Sequence, residues 1–258
     1  MTGGTGFIGS HFLNRAFQAG HEAVALRRSV RSAPRVPLAA TPKWIDSPMD
    51  RLRVEDFEGC EALVHFAAHS ANVPYDTLEN CIRWNVLAPL KLFSVAADAG
   101  VKTFLVAGSC FEYGRSAERY DFIPPDAPLE PTLSYPASKA AASVAFHAFA
   151  CERNIRLLNL RIFQVFGEGE LETRFWPSLR KAALAGEDFP MTAGEQVRDF
   201  IPVEKVAQAF MVALTRTDLK PGQPRVENLG ATRPQCAAFP QPAWHRQKVN
   251  PDNANSFV

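Results

Sequence analysis

Thr2-Gly-Gly-Thr-Gly-Phe-Ile-Gly9 places glycines at positions 3, 6 and 9, directly ahead of a helical pattern running from Phe7 to about Ala19. Such a loop has three separate uses for glycine: a tight turn, close approach of a ligand to the main chain, and close packing of the helix on the sheet. The helix start adds unpaired N–H groups and a partial positive charge, which suit a phosphate. Glycine spacing alone is a weak signal, and an ordinary tight turn is the competing reading.

Working outward, the chain alternates short apolar runs with longer helical patterns, as βαβ units and a parallel sheet do. Strands are predicted at His21–Arg27, Lys43–Asp46, Glu61–Ala67, Thr103–Ala107 and Arg156–Phe163. Helices are predicted at Asp76–Ala99, which Gly100 ends, and at Pro136–Arg153, which is rich in alanine. After about Gly167 the pattern loosens into a helix at Trp176–Ala185, an extended stretch at Arg198–Pro202 and a helix at Val203–Thr215. The expected organisation is an α/β, Rossmann-type doubly wound parallel sheet over residues 1–166, with a partial C-terminal lobe over 167–232 at the ligand-binding ends of the strands.

Composition narrows the function classes. A chain of 258 residues with 47% hydrophobic and 21% charged residues is ordinary for a soluble globular protein. The formal net charge of +1 argues against nucleic acid or an anionic membrane as a partner. No basic-then-apolar leader and no membrane-length apolar run is read from the sequence, so a cytoplasmic location is expected. Cys60, Cys81, Cys110, Cys151 and Cys236 are odd in number, widely spaced and never Cys-x-x-Cys, so free thiols are expected. The six histidines show no metal-ligand spacing, and no metal is expected.

Further motifs follow in order: His65-Phe-Ala-Ala68, Asn85-Val86, Gly100-Val-Lys-Thr-Phe104, Ser109, Tyr135-Pro-Ala-Ser-Lys139, Leu160-Arg-Ile-Phe163 and Gln196-Val-Arg-Asp-Phe200. With the loop at 2–9, this series resembles the extended short-chain dehydrogenases/reductases, the NAD(P)-dependent nucleotide-sugar epimerase/dehydratase family, over roughly residues 2–230. The resemblance implies a nucleotide-sugar substrate and a dinucleotide held by Gly3, Gly6, Phe7, Ile8, Gly9, Arg27, Arg28, Asp46, Ala67, Ala68, Asn85, Tyr135 and Lys139.

Tyr135 and Lys139 lie four residues apart, on one face of a helix. A free tyrosine titrates near ~10 and is a poor base at neutral pH, but a fixed cation beside it favours the phenolate. A drop of about three units takes ~4 kcal/mol, plausible for Lys139 with an oxidised nicotinamide. The resemblance assigns catalysis to Ser109, Tyr135 and Lys139: Ser109 holds the sugar oxygen, Tyr135 moves the proton, and Lys139 tunes Tyr135 and binds the nicotinamide ribose. The family's 4,6-dehydratases carry Asp-Glu after the hydroxyl residue, where this chain has Cys110 and Phe111. A 4-keto reductase or 4-epimerase therefore fits better than a dehydratase. A catalytically weak or inactive dinucleotide-binding protein is the alternative.

On the substrate side the resemblance points to Ser109, Gln164, Arg174 and Arg198, with a guanidinium fork suited to the diphosphate. Leu26-Arg27-Arg28 falls about 24 residues after Gly3, near the ~20-residue spacing at which NAD-binding members carry an acid. Two arginines there predict NADP, with NAD as the second choice. The helices near 76–99 and 136–153 are those the family pairs in a homodimer. Finally, only Met1-Thr2 precedes Gly3, where a strand of ~5–6 apolar residues belongs, so instability from a truncated central strand is expected. Residues 233–258, with Pro234, Pro240, Pro242 and Pro251, read as a disordered or out-of-frame tail.

Overall fold

The computed structural model describes residues 1–191 and 198–231; the expected tail at 233–258 lies outside the described residues. Short parallel strands form its core: β1 (Val24–Arg27), β2 (Lys43–Asp46), β3 (Ala62–His65), β4 (Thr103–Ser109), β5 (Arg156–Ile162) and, late in the chain, β8 (Arg225–Leu229). β1 pairs with β2, and β3-β4-β5-β8 run side by side, all in parallel.

Met1 and Thr2 join these two groups into one sheet. Leu26 N–H donates to Met1 O at 2.9 Å, Thr2 N–H donates to Val64 O at 3.0 Å, and Phe66 N–H donates to Thr2 O at 3.3 Å. Two residues thus carry the backbone pairing between β1 and β3, with Thr2 bridged to His65.

Helices cover both faces, as a parallel sheet requires. On one face, α1 (Phe7–Gln18) and α6 (Val203–Leu214) pack Phe12, Ala16, Val206 and Phe210 against Val64, Leu105, Leu158 and Leu160. On the other, α3 (Ala88–Asp98) and α4 (Ser134–Glu152) pack Phe93, Phe146 and Phe149 against Leu63, Phe104, Val106 and Leu157. Leu105 and Phe104 thus serve opposite faces, the period-two alternation of a strand buried on both sides. Each phenylalanine sealed in this way contributes about 1.5–3 kcal/mol.

The helix predicted over Asp76–Ala99 is interrupted. α2 (Leu78–Ile82) leads into a π turn at Arg83–Leu87 before α3 begins. Pro89 supplies the reason: it has no N–H to give the Asn85 carbonyl, and its ring would crowd that carbonyl in a regular helix. The wider turn leaves Asn85 buried in the interior.

β6 (Gln164–Phe166), just before the stretch expected as a lobe, and β7 (Phe200–Pro202), within it, form a separate parallel pair, accompanied by α5 (Phe175–Ala185). α6 and β8 return to the main sheet, so the chain crosses back over the boundary expected at 166.

Candidate active site

The glycine loop has the form its sequence demands. Gly3 sits at φ +71°, and a Cβ there would lie 2.7 Å from Ala67 N; a side chain at Gly9 would run into the Gly3 carbonyl. Gly6 N–H donates back to Gly3 O at 2.9 Å, closing the turn. Gly6 caps α1 with no side-chain hydrogen bond, and the first turn, with Phe7 and Ile8, carries no acidic residue. This cradle fits a dinucleotide pyrophosphate: among the described residues no side chain caps its N–H groups, and the first turn of α1 holds no carboxylate to repel the charge. Behind it, Thr2 Oγ1 accepts the Ala67 N–H at 3.2 Å and meets His65 Nδ1 at 2.8 Å, while Ala68 is exposed at the end of β3.

At the end of β1 the two arginines differ. Arg27 Nε and Nη2 donate to Asp46 Oδ1 and Oδ2 at 2.7 and 3.2 Å, and its guanidinium lies 4.9 Å from the centre of the Trp44 ring. Arg28 is exposed. Asp46, expected as a separate contact, is thus the partner that orients Arg27.

Ser109 ends β4, and Tyr135 stands in the first turn of α4, both buried. The Ser109 side chain acts on the Tyr135 phenol, favouring its ionised form. Lys139, one helical turn on and 4% exposed, donates to Ala107 O at 2.7 Å. Asn85 fixes the neighbouring backbone: its Oδ1 accepts the His69 N–H at 2.7 Å, and its Nδ2 donates to His69 O at 3.1 Å and Ser138 Oγ at 2.9 Å. Ser138 in turn donates to Tyr135 O at 2.7 Å. The Tyr75 ring lies 5.4 Å from that of Tyr135.

Burial is the larger electrostatic effect here. It pushes the Tyr135 phenol above its ordinary value, with the Ser109 side chain acting the other way. Burial also lowers the Lys139 ammonium, opposed by the charge of Glu112. In the protein by itself the cost of desolvating a phenolate dominates, whereas the expected drop belongs to Lys139 acting together with an oxidised nicotinamide.

On the substrate side, Arg174 Nη2 reaches Gln164 Oε1 at 3.5 Å and Nη1 donates to Asn72 Oδ1 at 3.3 Å. Arg174 therefore links β6 to the loop after β3. Arg198 is exposed, and its charge acts on Cys110, the residue after Ser109. Burial pushes the Cys110 thiol up to about 12, so it is a packed thiol rather than an acid.

Sequence reading passed over Ser138, Glu112 and Arg161, all buried beside this site. Ser138 sits inside the Tyr-x-x-x-Lys motif, and Ser109-Cys-Phe-Glu112 is a Ser-x-x-Glu capping pattern that could have flagged the carboxylate.

A doubly wound parallel sheet, a glycine cradle at its centre and a Ser/Tyr/Lys cluster at the ends of the strands define a dinucleotide-dependent enzyme of the short-chain dehydrogenase/reductase class. Within that class the chain belongs to the NAD dependent epimerase/dehydratase family, whose model matches residues 1–230. It is 27% identical to a UDP-glucose 4-epimerase of Corynebacterium glutamicum, over 90% of this chain and 74% of that protein. It is 26% identical to a CDP-abequose synthase of Salmonella muenchen, over 83% of this chain and 69% of that protein. Among solved structures, MoeE5 in complex with UDP-glucose and NAD superposes with a TM-score of 0.77 at 29% identity, covering 92% of this chain and 77% of MoeE5. TunA, an NAD dependent NDP-hexosamine 5,6-dehydratase involved in tunicamycin biosynthesis, gives 0.79 at 27% identity, covering 92% and 76%.

Proposed function

We propose that the protein transfers hydride at a sugar carbon of a nucleotide-sugar, as a 4-keto reductase or 4-epimerase. The observation that carries this reading is the gathering of buried Ser109, Tyr135 and Lys139 at the end of β4, where Lys139 donates to Ala107 O and Ser109 acts on the Tyr135 phenol. When bound, the nicotinamide supplies or takes the hydride. Tyr135 moves the proton at the sugar oxygen, Ser109 holds that oxygen, and Lys139 holds the nicotinamide ribose. Because burial keeps the phenol protonated, Tyr135 is poised to donate to a keto oxygen as it is reduced. Arg174, Gln164 and Arg198 bind the nucleotide diphosphate, and Gly3, Gly6, Gly9 and the start of α1 bind the dinucleotide pyrophosphate.

For the cofactor, the reading is NADP with NAD also accepted. Arg28 is exposed beside the Asp46-braced Arg27, and no acid ends β1. The NAD-bound structure of MoeE5 favours the second choice, and paired dissociation constants decide between them. A cytoplasmic homodimer completes the reading. Among the described residues no helix is long and apolar enough to cross a membrane, and Leu78, Leu87 and Val144 are exposed on the paired helices. In this reading β6, α5 and β7 make up the substrate side of the protein.

The test is incubation of a panel of nucleotide-sugars with NADP and with NAD, and of their 4-keto forms with NADPH and with NADH, followed by product NMR. A new 4-epimer or 4-hydroxyl sugar is the expected product. No change of any sugar with either cofactor would overturn the proposal.

A further inference from the structure

Behind Ser109 lies a charged pair with no place in the chemistry described so far. Glu112 is fully buried and Arg161 is 4% exposed. Arg161 Nε donates to Glu112 Oε2 at 2.7 Å, while Glu112 Oε1 accepts the Ser109 N–H at 2.8 Å. The remaining guanidinium donors are used as well. Nη1 gives to Tyr113 Oη at 3.0 Å and Pro125 O at 2.8 Å, and Nη2 gives to Ser143 Oγ at 3.4 Å. Tyr113 then donates to Asn228 Oδ1 at 2.5 Å, tying the cluster to β8.

A buried ion pair is a poor source of stability, because its desolvation offsets its attraction. What it does provide is a single geometry, fixed here by five directed bonds. Room for the carboxylate is made by Gly108, where a Cβ would lie 2.9 Å from Glu112 Oε1 and would also run into Asn159 Oδ1. Arg161 pairs with Gly108 across the β4–β5 ladder, so the cation is placed by sheet register and the anion by the turn after β4.

We propose that Glu112, held by Arg161, is the positioning residue that sets Ser109 against Tyr135. The inference rests on the catalytic reading above. Its immediate effect is on the Ser109 backbone, which fixes where the hydroxyl that acts on Tyr135 is presented. Glu112 is also the anion whose charge opposes the effect of burial on Lys139.

The test compares two neutral replacements in the full chain, since removing either charge alone would leave the other buried and unpaired. Glu112→Gln with Arg161→Met keeps an acceptor for the Ser109 N–H; Glu112→Leu with Arg161→Met removes it. Both pairs should fold with similar melting temperatures and bind dinucleotide alike. The Leu pair should lose about 10²-fold in kcat with KM little changed, as expected when a reacting group is displaced by about an ångström. The Gln pair should recover most of that loss. In parallel, hydrogen exchange at the Ser109 amide should be about tenfold faster in the Leu pair. Equal kcat and equal exchange in the two pairs would overturn the inference. If the unmodified chain turns over no nucleotide-sugar, the catalytic reading fails instead. The exchange comparison then still decides whether Glu112 fixes Ser109.

Discussion

Lys139 Nζ donates to the carbonyl oxygen of Ala107 at 2.7 Å, linking the helix that carries Tyr135 to the strand that delivers Ser109. The ammonium is almost fully enclosed, and burial lowers its pKa. A buried cation with one carbonyl partner costs stability rather than adding to it. Lys139→Met should therefore leave the melting temperature unchanged or slightly higher, while turnover falls about 10²-fold or more. Thermal melts and steady-state rates on the same preparations check this. A large loss of stability would make Lys139 a structural residue instead.

Tyr135→Phe removes one oxygen and keeps the ring that packs against Tyr75. Turnover should fall by ~10²–10⁴ with little change in dinucleotide affinity. Near-normal rates in this variant would remove Tyr135 from the mechanism. A binding titration alongside the kinetics separates loss of chemistry from loss of cofactor.

The fold was legible because the signals that set it are local. The Thr2–Gly9 loop, the apolar runs at Ala62–His65 and Thr103–Ser109, and the Tyr135/Lys139 spacing all lie within one element or one turn of their effect. What was not legible depends on long-range geometry. The π turn follows from Pro89 acting on the Asn85 carbonyl inside an otherwise helical pattern. The Glu112–Arg161 pair joins residues 49 apart in sequence. The rise in the Tyr135 phenol depends on how deeply the helix start is buried, which spacing does not encode. The helix at Val203–Thr215 was legible, but its packing on the main sheet and the pairing of β8 with β5 were hidden, since both depend on contacts far along the chain.

Asp46 gives a handle on cofactor choice. Its carboxylate takes two hydrogen bonds from Arg27 and neutralises much of that charge at the end of β1. Asp46→Ala frees the guanidinium, still stacked on Trp44, to meet a 2′-phosphate. The ratio of NAD to NADP dissociation constants should move toward NADP by about tenfold, the size of one charge-assisted contact. Arg28→Ala should move it the opposite way. Fluorescence titrations of both variants with both dinucleotides read the ratio directly, and an unmoved ratio in each would place these residues outside the ribose site.

His65 predicts how the protein responds to acid. Its imidazole is 2% exposed, lies edge-on to Phe93 at 5.4 Å, and meets Thr2 Oγ1 at 2.8 Å. Burial, followed by the charge of Lys139, lowers its pKa to about 3. In the unfolded chain the same group titrates near ~6.5. Between those two values the unfolded state holds a proton that the native state refuses, so stability falls as pH falls through this window and gains nothing above it. At ~1.4 kcal/mol per unit, lowering pH from about 6.5 to 5 should cost on the order of 2 kcal/mol through this residue. His65→Asn keeps a polar partner for Thr2 and removes the titration. Urea unfolding of the parent and the variant at pH 5, 6, 7 and 8 should show the parent losing stability more steeply below pH 6.5, by about one proton. Parallel curves for the two proteins would mean that His65 is protonated in the native state and that its enclosure by Phe93 and Phe146 is looser than the structure shows.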